Sequence, residues 1–175
     1  MQLPLRNILF YIILTALAAG LSSCRSALIK ADFQALARAS ITLGVNIGPH
    51  DNHKLYLEAA RWIGTPYRSG GSSTRGTDCT GLTSSIYRKV YNISLPRTTE
   101  EQKSMGVRVK KSNLKEGDLV FFSSDRKSRR VGHAGIYLKN HLFIHASSSR
   151  GVMISSLEEE YYRRHWMVGK RVLRK

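Results

Sequence analysis

The chain has 175 residues, 28 Lys and Arg against 12 Asp and Glu, a net charge of +16 and an ordinary 42% of apolar residues. That length fits one domain plus a removable N-terminus. The charge attracts polyanions: nucleic acid, anionic lipid or an acidic wall polymer. No nucleic-acid motif, aromatic-interleaved basic strand or zinc spacing accompanies it, so no nucleic-acid partner is expected.

In chain order, Arg6 precedes an apolar run from Ile8 to Ala19, then Leu21-Ser22-Ser23-Cys24. The run is too short to span a bilayer comfortably. A basic start, an apolar middle and small residues before a cut site describe an export signal over residues 1–23. The tetrapeptide resembles a bacterial lipobox, which implies cleavage before Cys24 and a lipid on its sulfur; the alternative is an uncleaved anchor helix. Cys24 and Cys79 are the only two cysteines. If Cys24 is lipidated, Cys79 is the one free thiol of an exported protein. It then has no disulfide partner within the chain, which argues that it is kept for reactivity.

Ala31 to Leu43 has helical spacing at Phe33, Leu36 and Ile41 but modest hydrophobicity. Residues 24–52 read as a lipidated tether, possible as a helix, packed or not. Gly44 to Asn52 is a linker, and Asp51 or Asn52 is placed to cap a helix over His53 to Ile63. That helix carries Leu55, Ala59, Trp62 and Ile63, and Gly64 with Pro66 ends it. Residues 53–175 form the expected catalytic domain.

A Gly/Ser-rich loop then leads to Thr77-Asp78-Cys79-Thr80-Gly81-Leu82. Leu82, Ile86 and Val90, with Tyr87 and Tyr91, follow a helical period. Asp78 lies at the N-cap, so Cys79 falls in the first turn. There the orphan N–H groups and the helix dipole favour thiolate, the nucleophilic form. Taken alone, the position suits a small buried residue on a packed helix equally well.

Leu95 to Glu101 is a turn leading into a short capped helix that ends near Met105. From Lys115 the period changes to that of strands: Asp118 to Ser123, Gly132 to Leu138, Leu142 to Ser147, Val152 to Ser155 and Val168 to Leu173. Asp125 to Arg130 reads as a basic hairpin loop. Helices first and an antiparallel sheet afterwards give an α+β domain.

A nucleophilic thiol works best with a base and a group that orients the base. Of six histidines, His133 starts a strand between small residues, in Gly132-His133-Ala134-Gly135. His145 lies on the next strand. His50, His53, His141 and His165 read as loop or surface residues. No two are spaced for one metal site on a single element, so no metal and no cofactor is expected. For His145 to orient His133, the rings must share a face. Side chains alternate along a strand, so a two-residue turn at Lys139-Asn140 would put them on opposite faces. The expectation is an odd-length connection, Leu138-Lys139-Asn140 or Lys139-Asn140-His141, or a bulge, with both imidazoles toward the Cys79 helix. In the second loop Gly135 faces His145.

Gly64-Thr65-Pro66-Tyr67, Gly70-Gly71, Asp78-Cys79-Thr80-Gly81, Gly117 to Phe122, Gly132 to Tyr137 and His145-Ala146-Ser147 together resemble the NlpC/p60 cysteine peptidases. The resemblance covers residues 53–173 and is nearest to the family's small murein endopeptidase lipoproteins. It implies a papain-like core with N-terminal helices packed on an antiparallel sheet of five to six strands. It implies cleavage of peptides in peptidoglycan by a Cys79-His133-His145 triad: nucleophile, base and orienter. By matching position, Tyr67 assists the oxyanion and Asp78 lies at the substrate-binding edge. Thr80 stands where the family usually has Ser, which tightens a subsite. The implied protein is a monomer, lipid-anchored in the cell envelope on the periplasmic side of the outer membrane. The same Cys-His chemistry serves an amidase or acyltransferase. A wall-binding lipoprotein with an inactive site is the third reading, and the intact Cys79, His133 and His145 count against it.

Overall fold

The structure, a computed structural model, describes residues 32–125 and 130–172. The signal and lipobox expectations, and residues 126–129 of the basic loop, lie outside the described residues. The chain divides into two compact units, residues 1–38 and 39–175. Residues 32–43 are helical (α1). No helix among the described residues is long and apolar enough to cross a membrane.

The second unit begins with side chains that the sequence left as tether: Leu43 and Val45 are buried in its main core. Helix α2 (His53–Trp62) starts where the Asn52 side chain accepts from the Leu55 N–H. It buries Leu55, Tyr56, Ala59 and Trp62, one face of a helix. Tyr56 donates to Glu116 at 2.6 Å, tying α2 to the turn before the central strand. A two-stranded ribbon, β1 (Ser72–Ser73) and β2 (Gly76–Thr77), occupies the Gly/Ser-rich loop. Helix α3 (Cys79–Tyr91) follows and buries Leu82, Ile86, Tyr87 and Val90. It ends on Asn92 in the left-handed conformation, φ 56°. Thr98 caps α4 (Thr99–Ser104).

The remaining strands are β3 (Val107–Val109), β4 (Leu119–Ser123), β5 (Val131–Tyr137), β6 (Leu142–Ser147), β7 (Gly151–Ser156) and β8 (Trp166–Arg171), with α5 (Glu160–His165) before β8. They form a six-stranded sheet in the order β3-β8-β4-β5-β6-β7, with every neighbouring pair antiparallel. The fold is the expected α+β arrangement. The sequence did not signal β3, α5 or the β1–β2 ribbon. All three are short, below the length at which periodicity separates from chance.

Strand β4 is buried at all five residues because both sheet faces are covered. Leu119 and Phe121 join the core beneath α2 and α3. Val120 and Phe122 join a second cluster with Tyr137, Phe143, Leu157 and Tyr162. That explains a continuous apolar run where a half-exposed strand would alternate. At the start of β4, Asp118 is 2% exposed and accepts from Arg171 Nε at 2.8 Å, Arg171 Nη2 at 2.6 Å and the Lys115 N–H at 2.8 Å. Removing the cation strands a buried carboxylate. Arg171→Met is therefore expected to lower the unfolding free energy by about 2–4 kcal/mol in urea titrations.

Candidate active site

Cys79 is the first residue of α3 and is half-buried. Its position is fixed by Asp78. One Asp78 oxygen accepts from the Gly81 N–H at 2.7 Å and from Thr80 Oγ1 at 2.9 Å; the other accepts from the Gly70 N–H at 2.8 Å. Arg97 closes the network bidentately, at 3.0 Å to each oxygen, and donates to Thr80 Oγ1 at 2.7 Å. Burial by itself would raise the Asp78 carboxyl; the bonds from Arg97, Gly81, Thr80 and Gly70 outweigh it and hold the group below its ordinary value. The first turn also sits hard against the β1–β2 ribbon. A Cβ on Gly81 would lie 2.0 Å from the Gly71 carbonyl oxygen, so the close approach requires glycine.

His133 and His145 meet through the strand register. Gly135 pairs with His145, Ile136 with Ile144 and Tyr137 with Phe143. Leu138 and Leu142 close the hairpin, so the connection is Lys139-Asn140-His141, the second of the two odd-length loops. Asn140 and His141 both have positive φ, 52° and 63°. The rings share a face, and His133 Nε2 lies 3.0 Å from His145 Nδ1.

The face differs from the one expected. Alternation turns Ala134, Ile136 and Ile144 into the core beneath α3. The imidazoles lie with the aromatic cluster on the other side, His145 stacking on Phe143 and tilted against Tyr162. Cys79 lies beside β5 because it is at the tip of α3, within hydrogen-bonding range of the Ala134 backbone. Cys79, His133, His145 and Tyr67 then line one cleft of about 580 Å³. Thr80 is 5% exposed and, like Asp78, is absent from the cleft lining, because its hydroxyl is turned into the Asp78–Arg97 network. Arg97, which follows Leu95-Pro96, thus belongs to the support of the nucleophile's helix.

Sequence reasoning missed Tyr162. Its hydroxyl lies 3.1 Å from His145 Nε2, so the chain of contacts runs His133–His145–Tyr162. Tyr162 sits on a one-and-a-half-turn helix with no periodic signal. Only its sequence neighbour Tyr161, itself 54% exposed, hints at an aromatic edge there. Beyond it, Ser155 Oγ is buried and finds no hydrogen-bond partner of regular geometry among the described residues. It is nevertheless near enough to Tyr162 to lower the phenol against the upward push of burial.

Electrostatics correct the thiolate expectation. Burial pushes the Cys79 thiol up and the Asp78 charge adds to it; backbone hydrogen bonding with Ala134, Thr80 and Cys79 itself pulls the other way and loses. Burial takes His133 down to about 4. Burial, then the charges of His133 and Arg150, take His145 down to about 3. His133 opens its ring edge onto the cleft, yet protein atoms surround the rest of it. The resting pair is thus neutral thiol and neutral imidazole: the helix N-terminus contributes less than the loss of water.

The profile of the NlpC/P60 family matches residues 64–171, and the chain belongs to that family. It is 45% identical over 114 residues to murein DD-endopeptidase MepS/murein LD-carboxypeptidase of Escherichia coli, a match covering 65% of this chain and 59% of that one. It is 40% identical over 136 residues to the probable endopeptidase NlpC of Escherichia coli, covering 78% of this chain and 84% of that one. Among solved structures, the NlpC/p60 domain of the peptidoglycan hydrolase SagA superposes with a TM-score of 0.60 at 28% identity, over 70% of this chain and 99% of that one.

The depressed imidazoles set the acid sensitivity of the fold. Their folded values, about 4 and 3, lie below the unfolded value near 6.5. Between those values the unfolded chain binds more protons, so stability rises with pH there and falls on acidification. Urea titrations are expected to show a falling unfolding free energy from about pH 6.5 to 5. The slope should flatten in His133→Gln/His145→Gln. An equally steep slope in that variant would mean that these rings are not buried neutral.

Proposed function

We propose that the protein is a peptidoglycan endopeptidase, a cysteine hydrolase that cuts amide bonds in murein stem peptides or cross-links. The observation that carries the reading is the 3.0 Å His133–His145 contact in the cleft that Cys79 opens into. Its remaining partner atoms fix the roles. His133 Nε2 is engaged by His145, so Nδ1 is the nitrogen left to take a proton. For Nδ1 to accept, Nε2 must carry hydrogen and donate to His145 Nδ1. His145 then holds its own proton on Nε2 and donates it to the Tyr162 oxygen. Tyr162, as the acceptor, supports the His145 tautomer that His133 requires.

In the reaction, Cys79 Sγ attacks the amide carbonyl carbon while its proton passes to His133 Nδ1. The oxyanion is held by the Cys79 backbone N–H and the Tyr67 hydroxyl. Burial, then the charges of Cys79 and Asp78, raise Tyr67, so its hydroxyl keeps its proton and can donate. His133 returns the proton to the leaving amine as the C–N bond breaks. Water then attacks the thioester, giving its proton to His133, and the thiol leaves with that proton. His145 disperses the transient imidazolium charge by one neutral hydrogen bond.

The proposal includes the N-terminus: residues 1–23 as a signal, Cys24 as the lipid site, residues 24–52 as a tether, and a monomer held in the envelope beside its substrate. The chain spans 59% of the MepS length.

On purified sacculi, mass spectrometry is expected to find new peptide termini with the wild-type protein. With Cys79→Ala, turnover should fall at least about 10³-fold. Wild-type turnover by Cys79→Ala would overturn the reading. In cells fed a labelled lipid precursor, wild type should take up label and Cys24→Ala should not; equal labelling would refute lipidation.

A further inference from the structure

Arg150 occupies the wall of the cleft. It precedes β7 in the turn after β6, and the next residues are pinned. The Gly64 N–H donates to the Val152 carbonyl at 2.9 Å and the Val152 N–H donates to the Thr65 carbonyl at 2.8 Å. A Cβ on Gly151, at φ +72°, would lie 2.4 Å from the Thr65 oxygen. The turn is thereby held against the segment that leads to Tyr67.

Among the described residues lining the cleft, Arg150 is the only one with a permanent charge; the others include Ser123, Ser124, Ser147 and Ser149. All 12 acidic side chains of the sequence fall within the described residues. None forms a salt bridge with Arg150, and its guanidinium makes no hydrogen bond to a described residue. By contrast, Arg97 and Arg171 are each held bidentately by Asp78 and Asp118. A solvated surface cation is the ordinary fate of an arginine in a chain of this charge. One with no partner among the described residues, on a pinned turn in the hydroxyl-rich cleft that Cys79 also lines, is placed for a ligand. A guanidinium presents a planar fork that matches a carboxylate.

We infer that Arg150 binds a free carboxylate of the substrate next to the scissile amide, so that it sets specificity for acidic rather than amidated stem peptides. The inference rests on the peptidoglycan reading above. Two carboxylates have this chemistry: the α-carboxylate of the γ-linked D-Glu and the D-centre carboxylate of the diamino acid. The effect of Arg150 is felt at His145 and Tyr162, both of which it lowers, so the charge lies at the imidazole end of the cleft. Arg150 is exposed, so the contact is partly screened.

The test uses the full chain and three synthetic cross-linked tetrapeptide dimers, which offer both the stem and the cross-link amides: the free acid, the D-Glu α-amide and the diamino-acid D-centre amide. Hydrolysis gives KM and kcat; titration of the Cys79→Ala protein gives Kd without turnover. Wild type is expected to favour the free acid over one of the two amides by roughly fivefold in KM and Kd, and that amide identifies the carboxylate. Arg150→Gln should raise KM and Kd for the free acid by the same factor, abolishing the preference. Arg150→Lys should retain part of it, and the preference should shrink as salt rises. Equal loss on all three peptides, or none, overturns the inference. Selective Kd loss without any hydrolysis would keep the Arg150 site and sink the peptidase reading. Hydrolysis of the free acid and both amides with equal KM, unchanged in Arg150→Gln, would do the reverse.

Discussion

The Asp78 carboxylate is the constraint on which the site depends. Its two oxygens receive the Gly81 and Gly70 amides, the Thr80 hydroxyl and both ends of the Arg97 guanidinium. One side chain therefore caps the nucleophile's helix, closes the β1–β2 ribbon over it and draws in the segment before α4. A cap alone contributes about 1 kcal/mol. Here the same group also fixes the rotation of the first turn, and with it the direction in which Cys79 leaves the helix. Both Asp78 oxygens are satisfied, which is what makes a partly buried charge tolerable.

The second constraint is register, and it was largely legible. Alternation alone forbade a two-residue turn, because His133 and His145 would have faced apart. The observed Lys139-Asn140-His141 turn has two residues in the left-handed region. Asn tolerates that conformation and His does so less readily, so side-chain type did not distinguish this loop from its competitor. Element identity was also legible, because α2, α3 and the strands from β4 onward are long enough to show a period. The face of the sheet was not. Both faces of β4 are covered, so Val120 and Phe122 look no different in sequence from Leu119 and Phe121. Tyr162 was hidden for the same kind of reason: its role comes from α5 folding back over β6, a contact between distant segments.

The thiol shows how magnitudes decide between two sound arguments. The helix dipole at an N-terminus is worth roughly 0.3–1 kcal/mol at an exposed position. Removing a charged group from water is larger, and it acts on thiolate and imidazolium alike. Sequence reports the first effect, since N-cap and nucleophile are adjacent. It does not report the second, which depends on Phe122, Phe143 and Tyr162 closing around the imidazoles. A neutral resting pair also protects the nucleophile, because a thiol held protonated is a poorer target for oxidation than a standing thiolate.

The charge of the chain bears on this balance. Most acidic side chains are already engaged with cations, as in Asp51–Lys139, Asp78–Arg97, Asp118–Arg171 and Glu158–Lys111. The net +16 is therefore largely left unneutralised. A positive field opposes an imidazolium but favours a thiolate, so its two effects on proton transfer from Cys79 to His133 largely cancel. Burial, which disfavours both ions, is what keeps the pair neutral. On the proposed reading the field acts on the encounter instead, drawing anionic peptide toward the cleft. Surface charge then recruits the substrate over a range of about 10 Å, while desolvation sets the protonation state at contact distance.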